Sequence, residues 1–228
     1  MPLLETTDYQ KTCPLCESDK VGMFYSSKQK NLRRNYFQCN ICKLIFVPKK
    51  FHLSLQLETE RYLTHNNNRN NKGYVDFLSR LWIELKPKLN SGSCGLDFGS
   101  GPGPVLAEII TEDGFNIETY DPIFQPNKKS LETHYDFITC SETIEHFKEP
   151  KKSISLLNEL LIPGGWLGIM TGIVPKDSRF SDWYYQKDPT HISFYTNDTI
   201  SWIGNWMHWE ITIPRTNVIL FKKPKNQT

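Results

Sequence analysis

Cys13 and Cys16 in "CPLC", followed after 22 residues by Cys39 and Cys42 in "CNIC", form two C-x-x-C pairs. Each tight turn aims two sulfurs at one point, so four thiolates can surround a tetrahedral Zn²⁺. A site closed in this way is structural and does no chemistry itself. Redox dithiols are the alternative use of the same residues. A second group surrounds "GLDFGSGPGPVLAEII", residues 95–110. Gly99, Gly101 and Gly103 allow positive φ and a close backbone approach to a ligand, with Ser100 between them. No G-K-[ST] follows, so a triphosphate-binding loop is excluded, and G-x-G-x-G departs from the dinucleotide spacing. Asp97 would repel a pyrophosphate but tolerate the ammonium of a zwitterionic amino-acid ligand. Twenty-four residues later, Asp121 stands where an acid can accept both ribose hydroxyls; the plainer reading is a turn residue before Pro122. A third group is "ETIEH", offering Glu142, Glu145 and His146, with His191 in the later "DPTHISFYT". Carboxylates and imidazoles together can hold a divalent ion, or can serve as general acid and base. Alternatively, Glu145 and His146 cap the next helix.

These residues need elements to carry them. "SCGLDFGS" reads as a strand and "PVLAEIITEDG" as a helix opened by Pro104 and closed by Gly114. "NIETY", "YDFITCS" and the stretch after "IPGG" read as further strands, with "SISLLNELL" as a helix ending at a Pro-Gly-Gly turn. This alternation predicts a parallel sheet with helices on both faces and ligands above the strand carboxyl ends. "YVDFLSRLWIELKPKL" places Val75, Leu78, Leu81, Trp82 and Leu85 on one helical face. "NDTISWIGNWM" reads as a helix capped by Asn197 or Asp198. "VGMFYSS", "NYFQC" and "KLIFVP" read as ribbon strands that depend on the metal for stability. The Asn-rich stretch "THNNNRNNKG" within residues 54–73 lacks periodicity and reads as a linker. The expected organisation is a zinc-ribbon-like segment at 1–53, a linker at 54–73 and a catalytic domain at 74–228. Cys94 and Cys140 are expected to be buried in strands. The aromatic-rich "FSDWYYQKDPTHISFY" is expected either as a lid over a planar substrate or as a loop folded onto the sheet edge.

Hydrophobic residues make up 38% and charged residues 23%, as in an ordinary globular chain. No run approaches a membrane span, and no secretory signal is apparent, so a cytoplasmic, reducing setting is expected. The net charge of +2 divides unevenly. Residues 1–75 hold 12 Lys/Arg against 6 Asp/Glu, and the remainder 15 against 19. A basic front end keeps an anionic partner in view.

In "LDFGSGPG", "YDP", "YDFITCSETIEHF" and "LLIPGGWLGI" the chain resembles the class I S-adenosylmethionine-dependent methyltransferases over about residues 74–222. The resemblance implies an α/β, Rossmann-like seven-stranded methyltransferase sheet with one antiparallel strand, here drawn from "WEITIP" and "NVILFKK". With the cysteine segment, the expected fold is that sheet plus a small N-terminal four-cysteine zinc ribbon. It also implies that Asp97, Gly99, Ser100, Gly101, Gly103, Asp121, Pro122, Ile123, Ser141 and Glu142 meet S-adenosylmethionine. Phe124 is a weaker candidate. E-x-x-E-H with a later histidine resembles the divalent-metal site of small-RNA 2′-O-methyltransferases and ubiquinone-pathway O-methyltransferases. Glu142, Glu145, His146 and His191 are therefore a candidate second metal site, with His191, Glu142 and His146 as catalytic candidates. One departure is plain: only fourteen residues separate Asp121 from Asp136, where family members place a helix and a third strand. The function expected is methyl transfer to a small-molecule acceptor at oxygen, carbon or nitrogen. The alternatives are an RNA methyltransferase docking through its basic zinc segment, and a non-catalytic module that kept the fold. The acceptor and the oligomeric state stay open.

Overall fold

The structure is a computed structural model that describes residues 10–30, 32–64, 68–176 and 179–225. The first nine residues of the expected ribbon segment, and residues 65–67 of the Asn-rich stretch, lie outside the described residues.

The amino-terminal part forms β1 (Val21–Ser26), β2 (Asn35–Cys39) and β3 (Ile45–Phe46). All three pair antiparallel in chain order. A nine-residue helix, α1 (Leu55–Leu63), follows where a linker is expected, and α2 (Lys72–Leu85) begins inside the same stretch. Ser54 caps α1 by accepting from the Leu57 N–H. Periodicity misses α1 because Leu55, Leu57 and Leu63 are all exposed. Polar anchors described below hold it instead.

The larger sheet contains β4 (Cys94–Phe98), β5 (Asn116–Tyr120), β6 (Tyr135–Ser141), β7 (Leu161–Met170), β9 (Glu210–Arg215) and β10 (Val218–Lys222). Its order is β5-β4-β6-β7-β10-β9. β4 pairs parallel with β5 and β6, and β6 with β7, whereas β10 runs antiparallel to both neighbours. The single antiparallel strand matches expectation; the strand count does not, being six rather than seven among the described residues. Between Asp121 and β6 the short chain makes one tight turn and a single 3₁₀ turn at Lys128–Leu131. Too little chain remains for a crossover helix and third strand, so β5 is left as a sheet edge. The expected Pro-Gly-Gly turn lies within β7 as a break in its register with β6, with Gly164 at φ +83°.

Two faces of this sheet are buried, and period-two alternation shows it. Along β10, Val218 and Leu220 pack with Leu81, Trp82 and Ile110 of α2 and α3 (Val105–Glu112). Ile219 and Phe221 face the other core, with α4 (Pro150–Leu160) and α5 (Asn197–Met207). α5 is capped by Thr196 in a capping box, one residue before the expected caps, because Thr199 closes the reciprocal bond. Cys140 is buried as expected, but Cys94 is exposed, since it opens β4 at the solvent end.

The cysteine-bearing part joins the body in two ways. β8 (Ser193–Phe194) adds to β3 as the fourth strand of the smaller sheet. Leu15, Phe37, Leu44 and Phe46 also share one core with Ile144, Phe147 and Ile154. No helix among the described residues is long and apolar enough to cross a membrane.

Candidate active site

A cleft of about 680 Å³ opens above the carboxyl ends of β4, β5 and β6. Every residue implicated in cofactor binding by resemblance lines it, from Asp97 through Gly103, Asp121 to Ile123, and Ser141 with Glu142. The glycine loop is tied down locally. Gly99 takes φ +80°, and a Cβ there would meet Thr143 Cγ2 at 2.2 Å. Gly101, at φ +67°, would send a Cβ into open space. The cleft therefore meets bare backbone at this point.

Asp97 is 3% exposed and accepts from Thr139 Oγ1 at 2.7 Å. Burial above all, with the Asp121 charge adding, pushes its carboxyl up to about 6. Asp121 is heavily used by backbone. Its Oδ1 accepts from Ile123 and Phe124 N–H at 2.8 and 2.9 Å, and its Oδ2 from Gly101 N–H at 3.0 Å. Both readings of Asp121 thus meet in one carboxylate: it closes a turn, while Oδ2 keeps capacity for one further donor. Ser100 Oγ and Ser141 Oγ are buried in the cleft without a hydrogen-bond partner among the described residues. A buried hydroxyl without a partner costs free energy, so these two fit a polar ligand such as S-adenosylmethionine. The carboxylates of Asp97 and Asp121 can accept from its ammonium and ribose hydroxyls.

The opposite wall is assembled from distant segments. Glu145 and His146 lie in a 3₁₀ turn, Ile144–His146, and neither caps α4, whose N-cap is Glu149. Glu145 is fully buried; its Oε2 accepts from Thr171 Oγ1 at 2.9 Å, and its Oε1 from the Tyr185 hydroxyl. His146 Nδ1 donates to Thr190 O at 3.0 Å, and His191 Nδ1 to Tyr185 O at 2.8 Å. A carbonyl can only accept, so each Nδ1 carries a proton, and neither Nε2 makes a hydrogen bond among the described residues. The rings meet edge to face at 4.8 Å. Burial holds His191 down to about 4, so it is neutral at pH 7. One ligand atom from each of Glu145, His146 and His191 lies within 4.8 Å of the others.

Glu142 does not join that group. It follows the end of β6 at φ +47°, its N–H bound to Met170 O, and it lines the cleft. Burial, then the Glu145 charge, pushes its carboxyl well above the ordinary carboxylate range.

Sequence reasoning missed α1 as part of this wall. Leu55, Glu58 and Tyr62 line the cleft. Tyr62 stacks edge-on against His146 and Phe124, and donates to Glu58 Oε1 at 2.9 Å. Lys148 pairs with Glu58 at 2.6 Å, and Arg61 grips Asp188 Oδ2 through Nε and Nη2 at 3.1 and 2.6 Å. The polar spacing Glu58–Arg61–Tyr62 was the available signal. The aromatic-rich segment is no lid: Phe180, Tyr185, Ile192 and Phe194 are buried with Tyr36 and Ile45 of the smaller sheet.

The four cysteines converge as expected. Cys13 and Cys42 sulfurs lie 3.5 Å apart, and those of Cys16 and Cys39 3.4 Å. A tetrahedron of Zn–S bonds places sulfurs at about 3.8 Å, so the set fits Zn²⁺ after small adjustment.

A sequence-family profile described as "Methyltransferase domain" matches residues 64–208. Curated relatives include ubiquinone biosynthesis O-methyltransferases. That of Nitrosospira multiformis is 28% identical over 131 residues, covering 47% of this chain and 51% of that protein. That of Erwinia tasmaniensis is 31% identical over 71 residues, covering 31% and 29%. The chain thus spans about half, or less, of their length. Among solved structures, a SAM-dependent methyltransferase from Archaeoglobus fulgidus superposes with a TM-score of 0.50 at 15% identity, covering 64% of this chain and 93% of that one. The 1,6-didemethyltoxoflavin-N1-methyltransferase of Burkholderia thailandensis, solved with 1,6-didemethyltoxoflavin and S-adenosylhomocysteine, gives 0.50 at 14% identity over 89% and 99%. At such identities these structures establish the fold alone.

Proposed function

Because this chain belongs to the methyltransferase-domain family and is a class I S-adenosylmethionine-dependent methyltransferase, we propose that it methylates a small molecule at a hydroxyl oxygen. The cofactor supplies an electrophilic methyl group on a sulfonium. Asp97, the Gly99–Gly103 loop, Ser141 and Glu142 hold its amino-acid end, and Asp121 Oδ2 takes a ribose hydroxyl. The observation that carries the reading is the trio Glu145, His146 and His191, whose ligand atoms lie within 4.8 Å of one another, with both imidazoles lining the same cleft as the glycine loop. An imidazole held down to about 4 is a weak base at neutral pH. The trio is better suited to hold a divalent ion, which would bind the acceptor hydroxyl and acidify it. With three protein ligands such a site keeps positions open. Tyr62, Phe124 and Leu55 give the acceptor subsite an apolar, aromatic wall. The curated relatives, named as O-methyltransferases, favour oxygen over nitrogen or carbon. The cysteine set would hold a structural Zn²⁺ as four thiolates, and a reducing cytoplasm would keep them out of disulfides.

The test is S-adenosylhomocysteine release from a panel of catechols, phenols, amines and enols, with and without Mg²⁺ or Mn²⁺. Metal-stimulated turnover of vicinal hydroxyls, lost in His191→Ala with cofactor affinity retained, is the expected result. Turnover confined to amines, or indifferent to both metal and His191, would overturn the reading.

A further inference from the structure

Arg34 belongs to the cysteine-bearing part, just before β2, and does not line the cleft. Only 4% of it is exposed. A buried guanidinium persists when its planar fan of donors is matched, and here it is. Nε donates to the Tyr36 hydroxyl at 2.8 Å, Nη1 to Pro189 O at 2.9 Å, and Nη2 to Gln186 O and Asp188 O at 2.9 and 3.0 Å. Three carbonyls of one four-residue stretch converge on one cation. Tyr36 braces the same stretch, its hydroxyl 2.7 Å from Gln186 Oε1.

That stretch is flanked by the carbonyls that orient both imidazoles. Tyr185 O, one residue before it, takes the proton of His191 Nδ1; Thr190 O, one residue after it, takes that of His146 Nδ1. His191 N–H also bonds Asp188 O at 3.2 Å, and Ile192 N–H bonds Glu145 O at 2.9 Å. Carbonyl oxygens gathered on one side of a loop repel one another unless a cation sits among them.

We propose that Arg34 is a positioning residue for the acceptor wall: by gathering the carbonyls of Gln186, Asp188 and Pro189, it fixes the backbone that holds His146 and His191 as Nδ1–H tautomers with Nε2 free. The cysteine-bearing part is therefore a component of the active site and not an appendage. Lysine cannot substitute, because one compact ammonium does not span a phenol and three carbonyls in a plane. This inference rests on the reading that the imidazoles face the acceptor, but its readout needs no acceptor.

The experiment compares the full, zinc-loaded chain with Arg34→Lys, Arg34→Gln, Tyr36→Phe and the exposed neighbour Arg33→Gln. Long-range ¹H–¹⁵N spectra of the imidazoles, taken at neutral pH without added divalent metal, report the tautomers. Zinc content and calorimetric S-adenosylhomocysteine affinity are measured beside them. Expected are Nδ1–H tautomers on His146 and His191 in the wild type and in Arg33→Gln. In Arg34→Lys they give way to tautomer mixtures, while zinc content is kept and cofactor affinity stays within about twofold. Tyr36→Phe shows the same change in smaller degree, and decides the matter if both Arg34 variants fail to fold. A folded Arg34→Lys or Tyr36→Phe with wild-type tautomers and lowered thermal stability would overturn the proposal, leaving Arg34 a stabilising residue only. Loss of cofactor affinity in step with the tautomers would also overturn it. Failure of hydroxyl methylation would bear on the proposed reaction alone.

Discussion

The proposed cofactor side of the cleft comes mainly from one run of chain, residues 97–123, in which strand, glycine loop, helix and strand follow without interruption, with Ser141 and Glu142 added from the end of β6. The proposed acceptor side draws on Arg34, Glu58, Tyr62, Glu145, His146, Thr171, Tyr185 and His191, brought together from five separate stretches. On the first side, backbone geometry makes the site, and Gly99 and Gly101 leave backbone facing the ligand. On the second, buried side chains are held by other side chains and by borrowed carbonyls. A local site tolerates change elsewhere in the fold. A composite site inherits the stability of every part that contributes to it.

Cys39→Ser probes this contrast most severely. Losing one thiolate of the set should release the zinc, and with it several kcal/mol of the folding energy that such sites supply. At about 2–4 °C per kcal/mol, the melting temperature should fall by about 10 °C. Hydrogen exchange should accelerate in β2, β3, β8 and residues 185–192, while the glycine loop stays protected and still binds S-adenosylhomocysteine. Equal damage to both sides would erase the distinction. Gly99→Ala is the reciprocal change. The positive φ and the clash with Thr143 should cost about 1–3 kcal/mol and weaken S-adenosylhomocysteine binding at least tenfold by calorimetry. The tautomers of His146 and His191 should be unmoved.

A smaller effect sharpens the comparison through pH. Asp97 is raised from an ordinary 3.8 to about 6, so the folded chain holds this proton more tightly than the unfolded one. The contribution of this group to stability is therefore present below about pH 4 and lost as pH rises to about 6. A cationic cofactor needs the ionised form, so affinity should fall about tenfold per unit as pH drops below about 6. Asp97→Asn should be weak and pH-independent in that range. An unchanged wild-type profile would show that the ammonium lies elsewhere. The least effect is expected from Arg61→Gln. Its ion pair with Asp188 is exposed at the arginine (38%) but mostly covered at the carboxylate (12%), and Asp188 keeps its bonds from Thr190, so the loss should cost about 1 kcal/mol. It should raise exchange in α1 and leave cofactor affinity alone.

The parts read correctly from sequence share a physical cause. Glycine spacing, alternating apolar strands and C-x-x-C pairs are short-range patterns, in which each residue is explained by neighbours a few positions away. α1 escaped because its leucines are exposed, Leu55 at the open cleft, and its anchors, Asp188, His146 and Phe124, lie far along the chain. Spacing groups Glu142 with Glu145; the structure gives it a positive φ just after β6 and a place in the cleft lining, outside the Glu145–His146–His191 cluster. The missing seventh strand was foreshadowed by the fourteen residues between Asp121 and Asp136, which leave no length for a crossover.

By itself the sequence determined the parallel α/β sheet, the glycine-lined loop between Asp97 and Asp121, and the four-cysteine cluster, because local periodicity, backbone freedom and ligand spacing are written in consecutive residues. Only the tertiary structure decided that the cysteine-bearing part supplies Arg34 to the loop whose carbonyls meet His146 and His191, and that α1 lines the cleft beside His146. Those contacts depend on shared burial and on matching donors to carbonyls across the fold, and no interval along the chain encodes them.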